Sequence, residues 1–296
     1  MLRFGIRCLT KFLTHPSKQR MRSVVMPALT GLLSVLLGAS GSAGQAGAPP
    51  PSQAAPTATV SAAPASQIIP PPPNYHFPNG QTYVYGVEWH LFTAGTAAVK
   101  LESAGTDERV TATGDSTGVV NALYKVHDRF EALFGARTFC SHRVTKHSEE
   151  GSHKRDTAIV FDYPRGKSVL DEKNLKTGEL KHVENDIPGC ITDVVSGFYY
   201  VASLPLEPGN SYTFSLNDGG KTTEVTARAE SREQVKVPLG TFQTIRVKAE
   251  ASSGPLKGKG TVWVWFTDDP NRTPVQMRSK LGWGTLLFRM QRLEKQ

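Results

Sequence analysis

The side chains best able to do chemistry include two adjacent carboxylates, Asp268 and Asp269, at the end of "VWVWFTDDPNRTPV" (262–275). A catalytic carboxyl pair must face one substrate from opposite sides, and consecutive residues point apart. Asp-Pro followed by Asn is turn chemistry, because the side chains cap local backbone groups and proline presets φ. Arg272 lies close enough to pair with one acid, so these residues read as a hairpin turn. A second group is His142, His147 and His153 around "SEEGS", with Glu149 and Glu150 at its tip. Imidazoles and carboxylates can collect zinc. Neither a helical H-x-x-x-H pair nor a strand H-x-H pair is present, and the turn reads as solvated, so no metal site is assigned. In "GPLKGKGTV" (254–262), Lys259 precedes Gly260 where a phosphate loop needs Ser or Thr. That segment reads as a flexible lead into the next strand. No G-x-S-x-G elbow occurs. No catalytic residue and no cofactor are assigned, and the reading leans against an enzyme, although triads are spatial and leave no fixed spacing.

The aromatic residues point elsewhere. In a strand, Val262, Val264 and Phe266 share one face, and Trp263 and Trp265 share the other. A strand apolar on both faces is either covered twice or lines a cavity. The candidate ligand-binding wall is Trp263 and Trp265 with Tyr199 and Tyr200; plain core packing is the alternative.

The elements that would position these residues have mostly a period of two. About a dozen short strands run from "TYVYGVEWHLF" to "GTLLFRMQRLE", with short connections that favour antiparallel pairing. "NDGG" (217–220) is a hairpin turn whose glycines permit positive φ. "VPLGTF" (237–242) kinks one strand into the next. The clearest helix is "ITDVVSGFYYVASLP" (191–205). "VVNALYKVHDRFEALF" (119–134) fits either a strand or an amphipathic helix. The fold class expected is mainly β: one curved antiparallel sheet, an open barrel or half-barrel, with one or two short helices after a disordered N-terminal segment.

Charge is uneven. The net charge is +8, but six of the 34 basic residues lie in the first 22 positions. Without them, 28 basic residues face 26 acidic ones, so nucleic-acid binding loses its electrostatic support. A basic segment ending at Arg22, an apolar stretch 24–39 and a small-residue run read as a secretory signal over 1–43, cleaved between 39 and 48. An uncleaved membrane anchor is the alternative. Residues 44–74 are rich in Ala and Pro, carry no charge and read as a disordered tether. The globular domain is expected over 75–296. Export leaves Cys140 and Cys190 in an oxidising compartment, either as one disulfide or as two separate thiols.

Three blocks carry a resemblance: "DVVSGFYYVASLPLEPG", "VPLGTFQTIRV" and "VWVWFTDDPNRTPVQM" with "GWGTLLF". In content and order they resemble the bacterial secreted family known as domain of unknown function 3108. The resemblance implies a curved antiparallel sheet in the periplasm or cell envelope, akin to lipoprotein-carrier folds, and brings no catalytic residues. The expected function is a non-catalytic envelope protein that binds an apolar or amphipathic ligand, or a protein partner, in a concave sheet. The alternatives are an assembly factor without a small ligand and an uncharacterised hydrolase.

Overall fold

The computed structural model describes residues 68–89, 92–254, 257–258, 260–282 and 284–295. The expected signal segment and the tether as far as residue 67 lie outside these residues. Ile68 and Ile69, assigned to the tether, already belong to the packed domain. Ile68 is buried, and the Ile69 N–H donates to Tyr200 Oη at 3.2 Å.

Fifteen strands form one sheet among the described residues. The first eight are β1 (Gln81–Trp89), β2 (Phe92–Ala104), β3 (Asp107–Ser116), β4 (Val126–Gly135), β5 (Ser141–Glu150), β6 (His153–Asp162), β7 (Lys167–Asn174) and β8 (Leu180–Asp186). They pair in sequence as an antiparallel meander. A second set follows: β9 (Thr192–Asp193), β10 (Ser211–Asp218), β11 (Lys221–Val237), β12 (Gly240–Ala251), β13 (Gly260–Thr267), β14 (Pro274–Leu281) and β15 (Gly284–Lys295). β15 pairs antiparallel with β1 and joins the two sets. The short β9 runs parallel to β10, so the sheet is mixed at that one edge. No helix of the described residues is long and apolar enough to cross a membrane.

The sheet curls until its two ends approach, but no ladder closes it. Ser168 Oγ donates to the Gly220 carbonyl (3.1 Å), and the Ser141 N–H donates to the Ile191 carbonyl (2.8 Å). The β10–β11 turn is the "NDGG" segment, with Gly219 and Gly220 at φ 58° and 77°. A Cβ on Gly220 would meet Leu170 at 3.2 Å, so this turn reaches β7 partly because it carries no side chain there.

The segment that fitted either a strand or a helix contains both. Helix α1 (Gly118–Leu123) is followed directly by β4. The clearest helix is shorter than its pattern: Thr192 and Asp193 enter β9, and α2 occupies Ser196–Ser203, stopping before Pro205. Asp193 explains where it starts. Its Oδ1 accepts the N–H groups of Val195 (2.8 Å) and Ser196 (3.0 Å), two donors the first turn leaves free. Its Oδ2 accepts the hydroxyls of Ser141 (2.6 Å) and Ser196 (2.5 Å). One buried carboxylate thus caps α2 and fastens it to β5.

α2 fills the concave side of the sheet. Tyr200 packs edge-on to Phe214 (4.9 Å) and Phe139 (5.5 Å), and Phe139 stacks on Phe134 (5.7 Å). Phe139 holds φ 56°, an unfavourable backbone for a bulky residue, and its ring is wholly buried. Beside it, Cys140 is joined to Cys190 in a disulfide that ties the start of β5 to the approach to α2.

Candidate ligand-binding cavity

Asp268 and Asp269 turn the chain between β13 and β14. Asp269 Oδ1 accepts the N–H groups of Asn271 (2.8 Å) and Arg272 (3.2 Å), and Asp268 pairs with Arg272 (3.0 Å) and Arg232 (2.7 Å). Desolvation works against the charged form of Asp268, but the hydrogen bonds and charges of Arg232 and Arg272 together outweigh it and hold the carboxyl below the usual range. Both acids meet Arg272, Asp269 at its backbone N–H and Asp268 at its guanidinium, so their carboxyls are taken up by the turn itself.

The four aromatic candidates are not brought together. Tyr199 and Tyr200 lie on α2, inside the curve, whereas Trp263 and Trp265 project from the opposite face of β13. The registers make this plain. Val262 and Val264 pair with Ala249 and Val247, while Trp263 and Trp265 pair with Lys248 and Arg246 on one side and with Arg278 and Gln276 on the other. The Arg278 guanidinium lies 4.3 Å from the centre of the Trp263 ring and 5.7 Å from that of Trp265. Trp265 Nε1 donates to Glu233 of β11. The β11–β12 hairpin also reaches β15, where the Leu239 N–H donates to the Met290 carbonyl (3.1 Å). β13 is therefore covered twice, and its tryptophans serve the outer cover. The expected wall is corrected: its inner half is Val262, Val264 and Phe266.

Those three residues and α2 line a partly open apolar cavity of 80 Å³. Val194, Phe198 and Val201 bound it on the helix side, with Phe214, Val247 and Ala249 across from them. Glu250 is the single charged side chain on its lining, and it pairs with Lys248 (2.9 Å). One water needs only about 10–15 Å³, yet it also needs two to four polar partners that this lining does not offer. The space suits hydrocarbon. On the other flank of α2 lies a second cavity of 30 Å³, lined by Tyr83, Tyr85, Tyr199 and Arg272 among others. Phe198 and Phe266 border both spaces. Burial pushes the Tyr83 hydroxyl up to about 12 and those of Tyr85 and Tyr199 well above their usual value, so all three stay neutral.

The histidines around the β5–β6 hairpin disperse. His142 pairs with Asp107 (3.0 Å), and His147 with Asp156 (2.6 Å). No group of three metal-ligating side chains occurs among the described residues. The solvated tip needs correcting, because Glu150 is only 8% exposed. Glu149 and Glu150 are the last residues of β5, not its turn, and alternation sends Glu150 inward with Lys146 and Ser148. Glu150 shares a hydrogen bond with Asp128 of β4 and lies 4.0 Å from Lys146 Nζ. Desolvation and the Asp128 carboxylate raise Glu150 to about 7, and burial also raises Asp128. Sequence patterning could have found this pair: Asp128 shares a strand face with Phe130 and Ala132.

The curved sheet and its inner helix define a β-barrel-like protein with an apolar pocket beneath the helix. The chain belongs to the family described as protein of unknown function DUF3108, whose profile matches residues 84–291. No curated protein matches it. Among solved structures it is similar to a β-barrel-like protein of domain of unknown function DUF1849 from Brucella abortus. Identity is 10% and the TM-score 0.53, over 78% of this chain and 99% of that one. It also aligns with a candidate exported protein of YmcC-like fold from Bacteroides fragilis, at 9% identity and TM-score 0.30 over 75% and 98% of the two chains. The first likeness is one of fold alone.

Proposed function

We propose that this chain is a non-catalytic protein of the bacterial cell envelope that binds an apolar or amphipathic ligand between α2 and the inner face of β10–β13. The observation that carries the reading is the 80 Å³ cavity, aliphatic and aromatic on nearly every side, beneath a helix of only eight residues. Its volume accepts part of a hydrocarbon chain. A whole lipid tail requires α2 to shift against Asp193 at its start and the packing of Tyr199 and Tyr200 along it. The signal-like N-terminus supports the envelope location.

A second reading rests on β8. Among the described residues this edge strand pairs only with β7, and Leu180 at its start is 76% exposed. Such an edge can take an added strand from a partner, as an assembly factor would. Native mass spectrometry of protein purified from its own envelope separates the two. A discrete non-covalent mass that leaves on denaturation, and is missing from Ala249→Phe, supports the cavity reading. A clean apo mass together with no displaceable apolar dye in the purified protein overturns it and favours the edge.

A further inference from the structure

One residue lining the small cavity beside α2 carries an unused polar group. Tyr199 lines it, is 6% exposed, and its hydroxyl has no hydrogen-bond partner among the described residues. Its neighbours are satisfied differently: Tyr85 Oη donates to the Pro274 carbonyl (2.8 Å), and Tyr75 Oη to the Tyr199 carbonyl (3.4 Å). Leaving a buried hydroxyl unpaired is unfavourable, and native interiors rarely do so without a reason. Here the residue with the orphan lines a space of 30 Å³, and Phe198 and Phe266 line both that space and the apolar cavity.

From this arrangement we infer that the two cavities are one bipartite site for an uncharged, oxygen-bearing amphipath, with the hydrocarbon in the larger space and a hydroxyl or ester carbonyl on Tyr199 Oη. The inference deepens the proposed function and rests on it. Movement of Phe198, which is only partly buried, unites the two spaces. The neutral character of the head group follows from its surroundings. Arg272 is the cation on the lining, and it is already committed to Asp268 and the Thr267 carbonyl. A carboxylate placed among three neutral tyrosines would be desolvated without a free counter-charge. An alcohol or ester loses far less, and Tyr199 can donate to either one.

The test is competition against N-phenylnaphthylamine fluorescence, with decane and decanol as probes, in the intact protein and in Tyr199→Phe. Decanol should lose about tenfold in affinity in the variant, the worth of one good hydrogen bond, while decane is unchanged. The melting temperature of Tyr199→Phe should not fall, because the hydroxyl bonds nothing in the empty protein. Equal change for both probes, or no change for decanol, overturns this inference and leaves the proposed function standing. Failure of either probe to displace dye from the intact protein, or failure of the dye to bind, overturns both. Decanoate binding more tightly than decanol would overturn the neutral head group.

Discussion

The inner row of β4 runs from one kind of interior to another. Phe134 and Ala132 belong to the aromatic core around α2, and Phe130 follows them; two residues further along the same face stands Asp128, 1% exposed and among charges. Beneath α2 the concave face is apolar, aliphatic and aromatic together, and borders a partly open cavity. At the far end of β4 and β5 it holds Asp128, Lys146 and Glu150, with Arg155 paired to Glu172 at 3.3 Å. Asp218, on the turn opposite, also acts on Lys146. Period two places both ends inside, so burial alone does not decide polarity. What differs is the cover. A helix with its own apolar face meets one end, and a polar hairpin turn meets the other, where ionic groups pair with one another.

The sharpest way to break the apolar end is Asp193→Ala. It leaves two buried N–H groups and two hydroxyls without their acceptor, and should cost about 4 kcal/mol in urea denaturation. Such a loss would free α2 while sparing the charged end, so hydrogen exchange should rise first in Ser196–Ser203. Cutting the disulfide at the apolar end, with Cys140→Ser and Cys190→Ser together, should cost about 3 kcal/mol by the same measure. The polar end is sharpened by pH. The native state keeps the Glu150 proton up to about pH 7, while the unfolded chain releases it near 4.5. The native state therefore binds more protons between these values, and stability must fall as pH rises through that window. The fall should be on the order of 3 kcal/mol and should largely vanish in Glu150→Gln. The smallest effect belongs to the outer face. Arg278→Ala should cost about 1 kcal/mol or less and leave ligand binding untouched, because the tryptophans it covers do not line the cavity.

Much of this was legible beforehand because it is local. Alternation marked most strands, though β4 was left open between strand and helix and β7, β8 and β9 were missed; "NDGG" and "DDPN" marked their turns, and Val262, Val264 and Phe266 were assigned to one face of β13 with the tryptophans on the other. The candidate site was legible only by half. Tyr199 was named, but the tryptophans were matched with it although a strand has two faces and α2 can cover only one. Glu150 was misread because an acid beside Glu149 and a glycine looks like a solvated turn. The hairpin instead turns at Gly151, held in positive φ, which leaves Glu150 on the strand and inside.

The amino-acid sequence by itself determined the period of the chain, its turns, its short helix and the family it belongs to, since each depends on residues close together. Only the tertiary structure decided which sheet face α2 covers, where Asp128 meets Glu150, and that two cavities share Phe198 and Phe266. Those relations join residues tens of positions apart. They are fixed by the curvature of the sheet and by what packs against it, which no local pattern records.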